Sequence, residues 1–449
     1  MATVCASRAT KLIEADGNKS RPAGGPDAIV VSVNILEDLD ARGLIHDTTD
    51  RDALATLLAT PTTLYHGIDP TADSLHIGNF VGVLALRRFQ DCGHRPLVLV
   101  GGSTGMVGDP SGRSDERNLL DMDTLQHNVA SIRNQLENLL DFGDGGAKLV
   151  NNYDWTHQVG VLDFLRDIGK HVTVNQMMAK ESVKARMEGE HGISYTEFSY
   201  MLLQAYDFSW QYDHYGCELQ IGGSDQWGNI TAGIDLIRRR GGGPAHGLTW
   251  PLITKADGSK FGKSQDGNVW LSADRTSPYR FYQYWMNTDD RDLTRFLLQL
   301  TLLPVEEALA VVASHEADRG GRHGQRRLAY ELTALVHGAS HAAAASEASA
   351  ALFGGEVTSG AAYEALAVDM PTTTVKTNDL SGDGSLVDIL LSTGLSSSKG
   401  DARRALAEGS VYVHGERRSE DHVSPDDLRF GRYLLLRRGK RNYTLVISE

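Results

Sequence analysis

Leu64-Tyr-His-Gly-Ile-Asp-Pro-Thr-Ala-Asp-Ser-Leu-His-Ile-Gly-Asn79 is the stretch on which the fold turns. Its first half is strand-like and enters a turn at Gly67 and Asp69-Pro70. Ile77, Val81, Leu84 and Ala85 then recur at helical spacing until Gly93 ends the run. A strand, a loop and a helix start therefore follow one another. A helix start offers unpaired N–H donors and a positive dipole end, and here a histidine and a glycine stand beside it. The stretch reads as a seat for a phosphate, which needs a partner elsewhere in the chain.

That partner is Lys260-Phe-Gly-Lys263-Ser264, preceded by Lys255-Ala-Asp-Gly-Ser259. Asp257-Gly258 is a hairpin signal. It puts two lysines and a hydroxyl on a glycine-interrupted loop just past the strand-like Leu248 to Thr254.

Between the two lie further strands that end in ligand-binding texture. Arg95 to Gly101 is a short apolar run leading into Gly101-Gly-Ser-Thr-Gly-Met-Val-Gly-Asp-Pro-Ser-Gly-Arg113, and Lys148 to Tyr153 and Leu219 to Asn229 have the same form. Glycine at the carboxyl ends of buried parallel strands is where open α/β sheets hold ligands. Alternation with helices such as Leu162 to Lys170 predicts an α/β class with helices on both faces of a mainly parallel sheet. Ser194-Tyr-Thr-Glu197 reads as a capping box. The helix it opens carries Tyr200, Gln204 and Asp207 at offsets of four and three, on one polar face of an otherwise apolar helix. Such a face predicts the wall of a polar pocket, because buried polar groups need partners.

The 449 residues imply several domains. The net charge of -14 argues against a generally basic coat for nucleic acid. Residues 386–449, however, carry 11 Lys and Arg against 9 Asp and Glu, a net of +2, which leaves -16 for the rest. Cys5, Cys92 and Cys217 show no Cys-x-x-Cys spacing and point to a reducing compartment, hence a cytoplasmic location, without a zinc site. No apolar run approaches the ~20 residues of a membrane helix, and residues 1–30 read as a disordered extension. Beyond Pro278 the pattern is helical without strands, and residues 368–385 read as a linker. The last domain opens near Leu386. Ser398 to Gly409 is a short basic helix with Lys399, Arg403 and Arg404, followed by the strand Val411 to Val413. Arg417, Arg418, Arg437, Arg438, Lys440 and Arg441 extend it into a strip suited to phosphates.

Taken together, the opening stretch, Gly108 to Gly112, Thr196 to Asp207, Gly222 to Asn229 and Lys260 to Ser264 resemble the bacterial tyrosyl-tRNA synthetases over residues 31–449. The two loops would be the HIGH and KMSKS signatures of class I aminoacyl-tRNA synthetases, with Asn79 where the second histidine stands. The resemblance implies a Rossmann-like doubly wound parallel-sheet catalytic domain over residues 31–278. An α-helical, anticodon-side domain would follow over 279–367, and a small α+β RNA-binding domain of the S-four type over 386–449. It implies that tyrosine is activated with ATP, whose Mg2+ comes with it, and passed to the terminal adenosine of tRNA(Tyr) by a cytoplasmic homodimer with no membrane association.

By the same resemblance Tyr65 and Asp207 hold the tyrosine phenol, Tyr200, Gln204 and Asp109 its ammonium, and Gln226 its carboxylate. Gly67, Asp69, Gly78, Gly223 and Asp225 border the nucleotide. His76, Asn79 and Thr71 take the phosphates and ribose edge, and Lys260, Lys263 and Ser264 the departing pyrophosphate. Lys399, Arg403 and Arg404 face RNA, and no resident metal is implied.

Physical chemistry reaches the same place independently. A carboxylate is already a nucleophile at neutral pH, so adenylate formation needs charge stabilisation rather than a general base, each fixed donor contributing roughly 3 kcal/mol. Desolvated partners of a phenol reject phenylalanine strongly, an effect of which tyrosyl-tRNA synthetases are themselves the standard example. No editing domain is then expected. Three other readings compete: the tryptophanyl relative, a small nucleotidyltransferase, and an RNA-binding paralogue with a vestigial site. The Tyr200, Gln204, Asp207 face, the second lysine loop and the intact His76 respectively weigh against them.

Overall fold

A computed structural model describes residues 34–109, 121–188, 192–258, 261–264, 267–352, 354–376 and 385–449, with the side chains of 181, 182, 185, 263 and 264 left aside. The extension over 1–30 and Lys260 therefore lie outside the described residues. The chain divides into two units, residues 1–272 with 289–313, and residues 273–288 with 314–449.

The first unit is built on a six-stranded sheet in the order β1-β6-β5-β2-β3-β4, with β1 Asp47–Thr48, β2 Thr63–Ile68, β3 Arg95–Val100, β4 Lys148–Asn151, β5 Cys217–Gly223 and β6 His246–Trp250. Strands β2 to β6 are parallel, and only the edge pair β1–β6 is antiparallel. Strand β3 is buried from Pro96 onward and β6 throughout, as expected of strands covered on both faces. The chain leaves β2 towards β3 and β4, then returns across β2 to lay down β5 and β6. The crevice between the carboxyl ends of β2 and β5 is thus the point where strand order reverses, the place where such sheets bind ligands.

Three helices frame that crevice. Helix α1, Ile77–Asp91, starts at its rim and buries Phe80, Val83, Leu84, Leu86 and Phe89. Helix α2, Tyr195–Tyr215, ends at Gly216 in the left-handed conformation (φ 59°), which glycine adopts without penalty. Helix α3, Trp227–Arg239, follows β5 after a single 3-10 turn. Helix Asp290–Leu300, assigned from sequence to the helical domain, instead belongs to the first unit. Asp292 accepts from the Ala256 amide, and Phe296 meets Phe261 edge-on at 5.4 Å.

The second unit combines helices Pro278–Met286, His323–His337, Ala339–Ala351 and Ala361–Asp369 with a sheet in the order β11-β10-β12-β13-β9. Here β9 is Thr372–Val375, β10 Val411–Val413, β11 Glu416–Arg418, β12 Tyr433–Arg438 and β13 Asn442–Ser448. Leu434, Leu436 and Val446 pack on helix Leu386–Ser392 and on α4, Lys399–Ala407. Tyr433, Leu435 and Leu445 pack on Ala348, Tyr363 and Leu366. Alternate residues of β12 thus serve two cores, which is the period-2 rule at work.

Two expectations change here. Four residues of the stretch read as a linker form β9, paired in parallel with β13, while residues 377–384 lie outside the described residues. The capping box at Ser194 is half made: Ser194 accepts from the Glu197 amide, but the Glu197 carboxylate turns to Arg186, 2.7 Å away and equally buried. A buried ion pair holds its members more firmly than a cap does.

Candidate active site

His76 is the N-cap of α1. Its Nδ1 accepts from the Gly78 and Asn79 amides (3.0 and 3.3 Å), and Asn79 Oδ1 accepts in return from the His76 amide at 3.2 Å. Because Nδ1 receives backbone N–H groups, the ring carries its proton on Nε2. Because Asn79 Oδ1 is likewise occupied, its NH2 is the donor end. Two side chains thus close the helix start reciprocally, each through an acceptor atom, with the N–H groups as their donor ends.

The second loop is sewn to this point. Ile77 donates to the Val269 carbonyl, Leu271 to the Leu75 carbonyl, and Val269 to the Gly262 carbonyl (3.0, 2.8 and 3.0 Å). His76 and Trp270 form a bridge between them, their rings 5.9 Å apart. Lys263–Ser264 is a short strand, β7, paired with β8, Gly267–Asn268. The hairpin therefore follows the lysine loop, whereas Asp257-Gly258 forms a turn in which Gly258 donates to the Lys255 carbonyl. The side chains of Lys263 and Ser264 lie outside the described residues, as does Lys260.

A cavity of roughly 360 Å³ opens beside His76, between the ends of β2 and β5. Tyr65, Gly67, Asp69, Thr71, His76, Gly78, Asn79, Asp109, Tyr200, Gln204, Asp207, Gly223, Asp225 and Gln226 all line it. Every described residue read from the sequence as catalytic, tyrosine-binding or ATP-binding thus faces one space, apart from Lys263 and Ser264. Gly67, mid-sheet, would bring an added Cβ no nearer than 3.6 Å to any atom, Leu99 Cδ2 being the nearest, so protein packing does not demand a glycine there.

One end of the cavity is a buried polar slot. Asp207 is 2 % exposed and accepts from Asn152 Nδ2 and Trp155 Nε1, both at 2.9 Å. Burial raises its pKa to about 7 against those two donors. Tyr65 is 1 % exposed, and among the described residues its hydroxyl has no hydrogen-bond partner. Burial, and then the Asp207 charge, push the phenol well above its ordinary range. A buried hydroxyl left unpaired costs about 1–3 kcal/mol, so this slot is built for a polar group from outside.

The middle of the cavity is an amide and carboxylate network centred on Gln226. Its Nε2 donates to Asp109 (2.8 Å) and Asp225 (3.3 Å), and its Oε1 accepts from Gln204 (3.3 Å) and Asn229 (3.1 Å). The cleft walls hold Asp225 above the usual carboxylate range, with Gln226 opposing and Asp109 adding to the shift. Two neighbouring carboxylates favour a cation between them.

Sequence reasoning missed several residues here. Asn152 and Trp155 hold Asp207, and Thr104 links Asn152 to Asp69 (3.0 and 3.4 Å). His66 packs edge-on against Trp250 at 5.2 Å, with Ile221 O 3.2 Å from its Nδ1. Burial lowers its pKa to about 4, and an added Cβ at Gly82 would run into its ring. The polar end of the strand at Lys148 was the one available signal for Asn152.

In the second unit, Arg403 and Arg404 stand exposed on α4, and Lys399 forms an exposed ion pair with Asp388 at 2.7 Å. Four members of the arginine strip are spent on the fold itself. Arg417 caps the end of α4 through the Glu408 and Gly409 carbonyls, and Arg418 pairs with Asp427. Arg438 grips Asp401 with two bonds of 2.7 Å, and Arg437 lies 3.8 Å over the Tyr412 ring. Lys440 and Arg441 remain exposed.

Residues 58–354 match the family described as tRNA synthetases class I (W and Y), and residues 363–446 match the tyrosine--tRNA ligase SYY-like C-terminal domain. A tyrosine--tRNA ligase of Opitutus terrae is 52% identical over 422 residues, covering 92% of this chain and 99% of its own. One of Roseiflexus castenholzii is 50% identical over 422 residues with the same coverage. A C-terminally truncated mitochondrial tyrosyl-tRNA synthetase of Aspergillus nidulans superposes with a TM-score of 0.63 at 32% identity, over 70% of this chain and 92% of that one.

Proposed function

The chain belongs to the class I tRNA synthetases, among the tyrosine--tRNA ligases, and from that premise we propose how its cleft activates tyrosine. The slot takes the tyrosine side chain, its hydroxyl meeting Tyr65 and Asp207. The buried, unpartnered Tyr65 hydroxyl beside the Asp207 carboxylate is the observation that carries this reading. Tyr200, Gln204 and Asp109 receive the ammonium group, and Gln226 orients the carboxylate. ATP lies from Gly67, Asp69, Gly223 and Asp225 to Thr71, Gly78 and the start of α1, with Mg2+ held by its phosphates.

The tyrosine carboxylate attacks the α-phosphorus, the bond to the β-phosphate oxygen breaks, and pyrophosphate leaves. His76 Nε2–H and the Asn79 NH2 donate to the charge that builds on the phosphate oxygens, with Lys260, Lys263 and Ser264 closing over the pyrophosphate. The adenylate then gives tyrosyl to the terminal ribose of tRNA and releases AMP. Lys399, Arg403 and Arg404 face that tRNA.

A homodimer is supported by apolar surface in one stretch of the first unit. Helix Val161–Asp167 buries none of its residues, and Val161 and Leu162 are 75 % and 81 % exposed. Free, buried Cys217 suits the reducing cytoplasm. Among the described residues no helix is long and apolar enough to cross a membrane. Charging of tRNA(Tyr) transcript with labelled tyrosine tests the proposal; charging by tryptophan in its place would overturn it.

A further inference from the structure

Asp207 owes one of its two donors to Trp155, and Trp155 is the inner plate of a ring stack. Its indole lies on that of Trp210 with centroids 4.3 Å apart and planes 10° from parallel. The His214 imidazole lies on Trp210 at 4.0 Å and 9°. Two rings so close and so parallel to a third fit only on its opposite faces, so Trp210 is the middle plate. Tyr215 meets Trp210 edge-on at 5.5 Å, and the Lys148 ammonium stands 4.2 Å over Tyr215. The stack grades from buried Trp155 through half-buried Trp210 to exposed His214.

The two donors on Asp207 are fixed in different ways. Asn152 is locked by polar bonds, since its Oδ1 accepts from the Ser103 amide at 2.7 Å and its Nδ2 also reaches Thr104. Trp155 has one polar side-chain atom, already committed to Asp207, and sits on the four-residue helix Tyr153–Thr156. So short a helix has little stability of its own, and the direction of its indole N–H must come from whatever holds the ring plane. Trp210 holds it. Asp207, Trp210 and His214 share one face of α2 at offsets of three and four, so the helix that carries the carboxylate also carries the plate that aims a donor back at it.

We propose that Trp210 is a positioning residue for amino-acid selection: by fixing the Trp155 ring it keeps the indole N–H on Asp207, and so turns the carboxylate's remaining lone pairs towards the substrate hydroxyl. This rests on the tyrosine reading of the slot.

ATP–pyrophosphate exchange by the full chain, with tyrosine and with phenylalanine, tests it. Trp210→Ala raises the KM for tyrosine about ten-fold, the worth of one hydrogen bond to a charged group, and lowers the preference over phenylalanine alike. The KM for ATP stays where it was. Trp210→Phe, which restores a plate, recovers most of the loss, and His214→Ala, which removes only the outer plate, costs less than Trp210→Ala. Trp155→Phe already lacks the N–H, so adding Trp210→Ala to it raises the tyrosine KM little further. An unmoved tyrosine KM in Trp210→Ala, or a loss that adds in full to that of Trp155→Phe, overturns the proposal. A loss confined to stability in thermal melts does the same. Absence of tyrosine-dependent exchange in the unaltered chain would instead overturn the tyrosine reading beneath it.

Discussion

Gly262 packs against Gly78. A methyl group built on Gly262 would stand 3.4 Å from the Gly78 amide nitrogen and 3.3 Å from Ile77 Cγ1, and Gly262 sits at φ 87°, where side chains are strained. The lysine loop and the start of α1 thus meet through two glycines 184 positions apart in the chain. Gly262→Ala is expected to lower the exchange rate while leaving tyrosine affinity intact, because strain of about 1–3 kcal/mol falls on loop closure alone. Steady-state kinetics with each substrate varied in turn checks this.

Asn79 caps α1, and the proposed mechanism gives it a second role with a separable signature. Asn79→Ala removes the reciprocal cap, costing about 1 kcal/mol in denaturant unfolding. On the proposed mechanism it also removes a donor to the transition state, and a loss of roughly a hundred-fold in the exchange rate is expected. Asn79→His keeps a donor and is expected to retain activity, now with a pH dependence that a neutral amide lacks.

The Asp207 carboxyl gives a pH prediction. Its folded value of about 7 lies above the ordinary 3.8, so the folded chain binds that proton more tightly than the unfolded chain. The stabilisation it brings is complete below the ordinary value and is lost as pH rises from about 4 to about 7. On the proposed reading, the acceptor for the tyrosine hydroxyl appears over the same rise. In exchange assays, kcat/KM for tyrosine should climb through pH 7 (about) and level off above it, and Asp207→Asn should flatten that climb.

Arg403→Glu with Arg404→Glu is expected to weaken tRNA charging and leave tyrosine–ATP exchange unchanged, since both side chains are exposed on α4. Arg438→Ala acts differently. It strips Asp401, held well below the usual carboxylate range by that guanidinium, and so lowers the melting temperature along with charging. Comparing exchange, charging and melting for the two variants separates RNA contact from fold maintenance.

Much of this was legible in the sequence because local periodicity carried it. The strand and helix around His76 follow from spacing alone, and the offsets among Tyr200, Gln204 and Asp207 put them on one wall before any coordinate is known. What was illegible depends on partners far along the chain. Glu197 satisfies a capping motif, yet Arg186 takes its carboxylate. Four arginines near the C-terminus count as charge for RNA until Asp401, Asp427, Tyr412 and two helix carbonyls prove to hold them. Thr372–Val375 is β-branched throughout, a strand signal hidden in a polar stretch by the lack of an apolar face. Asn152 and Trp155 reach Asp207 across about 50 residues, and no local pattern announces that.

The central claim is that the slot around Tyr65 and Asp207 selects a phenol. ATP–pyrophosphate exchange with each of the amino acids in turn measures it most directly. Tyrosine alone should drive exchange, with phenylalanine weaker by a factor on the order of 10⁴–10⁵. Exchange driven by tryptophan, or by phenylalanine as readily as by tyrosine, would contradict it.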